Sequence, residues 1–230
     1  MTDSPLRLNK LLAVQLGISR READLLIEKG SVAINGNKAA LGARLKDTDT
    51  ITVNGKSVAA QQKPFTYLAF HKPVGYVCSR RAQGDTPTIY SIIPQQYHEL
   101  KPVGRLDKDS SGLILLTNDG DFTYQMTHPR FVKTKVYHVR LNKTLEPLHQ
   151  QMISDFGIQL DDGRSQLLLQ RRYEDKSDEW IVTMSEGRNR QIRRTFAALG
   201  YTVTRLHRVQ FGNYAIGDMQ PGELQIVTIR

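Results

Sequence analysis

Leu8, Leu11, Leu12 and Leu16 recur at i, i+3, i+4 and i+8 near the start of the chain. That is the stripe of a helix with one apolar face, and Gly17 follows where a C-cap glycine ends such a helix. A second helix is predicted from Ser19: Ser19-Arg20-Arg21-Glu22 has capping-box spacing, Ala23, Leu26 and Ile27 form the apolar face, and Gly30 closes it. Two short β runs follow, Val32–Ile34 before Asn35-Gly36 and Ile51–Val53 before Asn54-Gly55. Asn-Gly suits tight hairpin turns because both positions tolerate positive φ. Two helices and a small β element thus predict an αα-β unit over residues 1–62. Gln61-Gln62-Lys63-Pro64, polar and closed by proline, reads as the linker to a second domain over 63–230.

Beyond the linker, strand and helix patterns alternate without a regular βαβ repeat. Tyr67–Phe70 reads as a strand stopped at Lys72-Pro73-Val74-Gly75. Leu113–Leu116 is a short apolar run closed by Asn118-Asp119-Gly120, hence a buried strand. Tyr137, Val139 and Leu141 alternate with Val136, His138 and Arg140, the pattern of a half-buried strand. Leu148, Met152 and Phe156 suggest a helix face ending at Gly157, and Ile181–Met184 another strand. A helix over about 189–199 turns Ile192, Phe196 and Leu199 inward, with Gly200 past its end, and 202–209 is extended. This order predicts an α+β fold with a largely antiparallel sheet.

Composition narrows the partner. The 230 residues carry 32 Lys+Arg against 23 Asp+Glu, a formal charge of +9, with 39% hydrophobic residues. A folded core is expected, and the basic excess favours a polyanion, nucleic acid or an anionic membrane. The lone Cys78 excludes an internal disulfide and a multi-cysteine zinc site. No run approaches the roughly 18 apolar residues of a membrane span, and Asp3, Arg7 and Lys10 interrupt the N-terminal apolar stretch. A soluble, cytoplasmic chain is the expectation.

Charge position says more. Arg7, Lys10, Arg20, Arg21 and Lys29 crowd the first two helices, which taken alone could be a solvated face. Six arginines against Glu186 give segment 186–208 a net charge of +5. Arginine in such excess over lysine suits bidentate phosphate contacts. The other special segment, Gly104-Arg105-Leu106-Asp107-Lys108-Asp109-Ser110-Ser111-Gly112, puts charged and small residues on a loop just before a buried strand. Its composition is also that of an ordinary turn.

Read together, these stretches resemble a family. R-L-N-K-L-L with G-I-S-R-R-E-A-D-L-L-I-E-K-G-S-V-A-I-N-G is similar to the S4-type RNA-binding domain. H-K-P-V-G-Y-V-C-S, G-R-L-D-K-D-S-S-G-L-I-L-L-T-N-D-G-D, K-V-Y-H-V and E-G-R-N-R-Q-I-R-R-T-F then follow in order. They resemble the ribosomal pseudouridine synthases of the RsuA/RluB/RluE/RluF group over nearly the whole chain. The resemblance implies isomerisation of uridine in ribosomal RNA, needing no metal or cofactor and no obligatory protein partner. It implies that Arg20 and Arg21 lie against RNA, and that Asp107 is the essential aspartate, acting on the ribose C1′ or by proton abstraction to a glycal. Arg193 would pair with Asp107, Tyr137 would stack on the flipped uracil, and Ile192 would wall the pocket. Arg105 would hold the gap left in the RNA, because taking a base out of its stack costs a few kcal/mol. Lys72, with Pro73 and Gly75, would form the loop beneath, and Lys72, Arg188 and Arg190 would bind substrate.

Within the group, N-R-Q-I-R-R with S-R-R-E-A-D leans toward the F-type member, which acts on large-subunit RNA, and the compact small-subunit enzyme is the alternative. Two other readings stay open on residues alone. An RNA-binding assembly factor needs only the basic surfaces. A glycoside hydrolase could use Asp107 and Asp109, although the arginines favour phosphate over neutral sugar.

Overall fold

A computed structural model describes residues 6–58, 64–80 and 84–229. The chain forms two units, Met1–Phe65 and Thr66–Arg230. Most of the stretch expected as linker, 61–63, lies outside the described residues.

In the first unit, β1 (Leu6–Arg7) leads directly into α1 (Leu8–Gln15), and α2 (Arg20–Glu28) follows. The capping box forms as the sequence predicts: Ser19 Oγ accepts from the Glu22 amide, and Glu22 accepts from the Ser19 amide. Next come β2 (Val32–Ile34), β3 (Asn37–Lys38), β4 (Arg44–Leu45), β5 (Ile51–Val53) and β6 (Lys56–Val58). Four of these make an antiparallel sheet in the order β3-β2-β5-β6, while β4 pairs with β1. Both Asn-Gly turns adopt positive φ, 50° and 81° at Asn35-Gly36 and 50° and 75° at Asn54-Gly55. Leu8, Leu11, Leu12, Ala23, Ile27, Val32 and Ile51 close the core. The opposite faces leave Arg20 and Arg21 exposed.

The second unit is a nine-stranded sheet with helices packed on it. Its strands are β7 (Tyr67–Lys72), β8 (Lys101–Val103), β9 (Ser111–Thr117), β10 (Lys135–Leu141), then, after the separate hairpin β11 (Ile158–Leu160) and β12 (Gly163–Ser165), β13 (Leu168–Arg171), β14 (Glu179–Met184), β15 (Val203–Phe211), β16 (Tyr214–Ala215) and β17 (Leu224–Ile226). The sheet order is β13-β14-β10-β15-β9-β7-β17, with β8 beside β9 and β16 beside β15. Among these pairings only β9 with β15 is parallel, Ser111 opposite His207 and Gly112 opposite Arg208. The architecture is therefore α+β with a largely antiparallel sheet. Tyr137, Val139, Leu141, Trp180, Val182, Ile192 and Phe196 share one large core, as the alternation along β10 and the 192/196 spacing require.

Among the described residues this unit has three α-helices: α3 (Gly120–Thr127), α4 (Pro147–Gln151) and α5 (Gln191–Ala197). The expected face Leu148/Met152/Phe156 is corrected. α4 continues as a turn of wider, π-type helix over Met152–Phe156, which shifts the phase of the periodicity. Ile153 is buried instead, while Leu148 and Phe156 are exposed. α3 forms where the sequence pattern predicts only a turn. Asp119 caps it by accepting from the Asp121 and Phe122 amides.

Candidate active site

The loop 104–110 enters β9 under tight constraint. The Ser110 amide donates to the Asp107 carbonyl at 3.1 Å, and the Gly75 amide donates to the Lys108 carbonyl at 2.7 Å. Beneath it Lys72, with 0% exposure, donates its Nζ to the carbonyls of Pro73 (2.9 Å) and Ser110 (2.7 Å). Burial drives the Lys72 ammonium below its ordinary range, against the opposing pull of Cys78, Asp107 and Asp109. Gly112 fixes where the loop ends: at φ 109° it lies so close to β15 that a Cβ there would sit 2.2 Å from the Arg208 carbonyl oxygen.

The facing wall is the turn into α5. Gln191, only 2% exposed, organises it from within. Its amide donates to Ser165 Oγ at 3.0 Å and to Glu186, and its Oε1 accepts from the Arg188 amide at 3.1 Å. Arg190 is the N-cap of α5 in the left-handed conformation, φ 47°. From there its guanidinium spans both aspartates of the opposite loop. It meets Asp109 through two bonds of 3.1 and 3.0 Å and Asp107 Oδ2 at 3.4 Å. Arg193 Nε lies 3.2 Å from Asp109 Oδ2. Hydrogen bonding from Arg190, with the charge of Arg193, holds the Asp109 carboxyl below the usual carboxylate range despite partial burial.

Between these walls runs a cleft of about 610 Å³, bordered by Asp107, Arg105, Tyr137, Ile192, Leu206 and Arg208 among others. That volume lies within the roughly 300–1,000 Å³ typical of ligand sites. Tyr137 and Ile192 are 8% and 4% exposed and supply apolar walls. Asp107 keeps a third of its side chain open. Among the described residues no group of His, Cys, Asp or Glu is arranged to hold a metal ion, and no helix is long and apolar enough to cross a membrane.

Comparison with known proteins meets this geometry residue range by residue range. The family described as RNA pseudouridylate synthase matches residues 66–198, and the S4 domain matches residues 6–51. The chain belongs to the RNA pseudouridine synthase family. It is 36% identical over 219 residues to a Pasteurella multocida protein named ribosomal small subunit pseudouridine synthase A, covering 93% of this chain and 91% of that one. It is 33% identical to Bacillus subtilis ribosomal large subunit pseudouridine synthase B, covering 96% and 92%. A crystal structure of a pseudouridylate synthase superposes with a TM-score of 0.68 at 30% identity, covering 97% of this chain and 96% of that one. Membership in this family removes the reading as a binding factor without activity and the glycoside hydrolase reading. Arg190 and Arg193 also occupy Asp109, the second carboxylate that hydrolysis would need.

Within this pseudouridine synthase unit Asp107, Tyr137, Ile192, Arg105 and Arg190 come together on one cleft. Three of the expected site residues make other contacts in this structure. The guanidinium bonded to Asp107 is that of Arg190, while Arg193 pairs with Asp109. Arg193 starts one helical turn further on, and its Nη1 and Nη2 go to the carbonyls of Val203 (2.6 Å) and Asp109 (2.9 Å). Lys72 has no exposed surface to offer a substrate and acts as a strut under the loop. Arg188 borders the cleft, but its guanidinium is engaged by Asp162, by the Gly163 and Arg164 carbonyls and by Glu186. It pins the β11–β12 turn to the α5 wall. Arg20 and Arg21 belong to the S4 unit, where Arg20 donates to Asn9 at 3.2 Å. Gln191 and Lys135 line the site without having been singled out by the sequence pattern, which counts Arg208 only as one of the arginines of segment 186–208. Lys135 stands two residues from Tyr137 on one strand, a visible signal. Arg208 faces Tyr137 only through the β10–β15 register, which no local pattern reveals.

Proposed function

We propose that the protein isomerises a uridine of ribosomal RNA to pseudouridine, with Asp107 as the reacting carboxylate and large-subunit RNA as the substrate. One observation carries the reading. Asp107 is a partly open carboxylate, steadied by Arg190 at 3.4 Å, on a cleft whose apolar walls include Tyr137 and Ile192. The Arg190 guanidinium fixes the direction in which the carboxylate faces the cleft. The carboxylate then attacks C1′, or takes a ribose proton to leave a glycal. Either way the C1′–N1 bond breaks and its electron pair leaves with uracil. The base turns and C5 bonds to C1′ as the Asp107–C1′ bond breaks or, from the glycal, as the abstracted proton returns to C2′. The C5 proton is then removed and N1 takes up one. Tyr137 would stack on the flipped base, Arg105 at the cleft mouth would fill its place in the RNA, and Ile192 would exclude water. Arg193 acts through Asp109, holding the loop that carries Asp107. The exposed Arg20 and Arg21 would position RNA through its phosphates without reading sequence. The reaction needs no cofactor and no obligatory protein partner, and its setting is the cytoplasm.

Small-subunit RNA is the second reading, supported by the 36% identity to a relative named for that subunit. Pseudouridine is mapped in both ribosomal RNAs from cells lacking the gene and complemented with wild type or Asp107→Asn. The expected result is one large-subunit uridine modified by wild type alone. Modification of a small-subunit uridine moves the target, and modification by Asp107→Asn removes Asp107 from the chemistry.

A further inference from the structure

Of the cations along the cleft and on α5 behind it, Arg188 and Arg194 share Asp162, and Arg190 and Arg193 share Asp109, while Arg105 is exposed to water. Arg208 and Lys135 are withdrawn from water and, among the described residues, have no carboxylate. Arg208, 2% exposed, donates its Nε to the Leu113 carbonyl at 2.8 Å and lies over the Phe211 ring at 4.8 Å. Its Nη2 is buried with no hydrogen-bond partner. Lys135 Nζ stands 5.4 Å from the same ring and rests only on the carbonyls of Glu186 (3.2 Å) and Lys133 (3.3 Å). The nearest acid, Glu186, turns its carboxylate to Arg188 and Gln191. Burial first, then the charge of Arg208, pushes the Lys135 ammonium below its ordinary range. A buried cation such as Arg208, or a half-buried one such as Lys135, is costly without a counter-ion. Two of them bordering one cleft mark a place where negative charge is supplied from outside.

We propose that Arg208 and Lys135 form an anion subsite of the cleft that takes a phosphodiester of the RNA next to the target uridine. The identity of the anion rests on the function proposed above. A phosphodiester is the charge RNA carries before any bond breaks, and its two free oxygens accept from a guanidinium and an ammonium together. The Phe211 ring lies against both cations and Met126 lines the same cleft; apolar neighbours lower the local dielectric and strengthen the attraction. Lys135 is two residues from Tyr137 along β10, about 7 Å at strand rise, so one strand presents both the stacking ring and the cation.

The test uses full-length protein, wild type, Arg208→Met and Lys135→Met, with transcribed large-subunit ribosomal RNA as probe. Binding is measured across a salt series, alongside kcat/KM and Tm. Each variant is expected to bind roughly tenfold or more weakly at low salt. The slope of log affinity against log salt should drop by about 0.7–0.9, one phosphate contact, and kcat/KM should fall with affinity. Tm should hold or rise, since an apolar residue replaces an unpaired buried charge. An unchanged slope overturns the subsite. So does a fall in kcat/KM at constant affinity and slope, which assigns the cations to the departing uracil. A large loss of Tm in both variants also overturns it, by making them structural pins. If wild type forms no pseudouridine while the slope still drops, the proposed function fails and the subsite stands.

Discussion

Gly112→Ala couples the sheet to the site at one atom. At φ 109° the residue occupies backbone space that a side chain tolerates poorly, and the new Cβ would lie 2.2 Å from the Arg208 oxygen and 2.6 Å from its nitrogen. Both are backbone atoms, so no rotamer relieves the contact. β9 and β15 must separate by about 1 Å, or the β9 start must rotate. The left-handed conformation costs about 1–2 kcal/mol and overpacking about 1–3 kcal/mol. Together they amount to about 2–5 kcal/mol, a large share of the roughly 5–15 kcal/mol that holds a domain folded. Urea unfolding followed by tryptophan emission isolates the effect, because the single tryptophan, Trp180, is fully buried in the second unit. With slopes of about 1–3 kcal/mol/M, the midpoint falls by roughly 1–2 M. Gly217→Ala is the control. Gly217 has φ 56° with nothing within 4 Å of an added Cβ, so it registers the conformational cost alone. Since Asp107 sits five residues before Gly112, a displacement near 1 Å should also reduce turnover about a hundredfold. If both alanine variants lose the same stability and keep wild-type turnover, the close strand approach does not govern the site.

Three other perturbations separate the roles of neighbouring residues. Asp109→Asn releases Arg190 and Arg193, and kcat should drop by up to about a hundredfold with little change in KM. Wild-type turnover should fall on acidification as the depressed Asp109 carboxyl protonates, a component of the acid limb that the variant lacks. His207 faces His71, His138, Arg205 and Arg172, and burial, with those charges, pushes it down to about 4. A depressed histidine stabilises the fold fully above its free value near 6.5 and loses that contribution as pH falls toward 4. After discounting for its half-exposed position, about 1–2 kcal/mol should disappear over this window, and acid titration of His207→Gln should lack that loss. Arg188→Met removes the pin between the β11–β12 turn and α5, and chemical denaturation should register about 1–3 kcal/mol.

The N-terminal unit is legible because its signals are local. Ser19 and Glu22 specify a cap three residues apart, and each Asn-Gly sets its own positive φ. The catalytic unit is legible where alternation reflects burial, as at Tyr137, Val139 and Leu141. It is opaque where a neighbour decides. Asn118-Asp119-Gly120 has turn composition and yet opens α3, because Asp119 can cap as readily as it can turn. Nothing in N-R-Q-I-R-R marks Arg190 as the residue that takes the left-handed cap, and that single dihedral choice decides which arginine reaches Asp107. The strut at Lys72 and the unpaired state of Arg208 depend on strands more than 30 residues away in sequence (about 38 and 95 residues).

The position of β15 in the sheet has a consequence for synthesis. β7, β8 and β9 supply one half of the sheet with Asp107, β10 and β14 supply the other with Tyr137, and the two halves meet only across β15, residues 203–211. While the chain is growing, each half presents an unpaired strand edge, the surface that invites misassociation. The aspartate and the tyrosine become neighbours only when the last long strand slots between them. Such distant closure is slow relative to local folding. A ribosome must therefore extend the chain past β15, to residue 211, before the cleft exists, and a product truncated before residue 203 carries every residue of the α5 wall yet no assembled cleft.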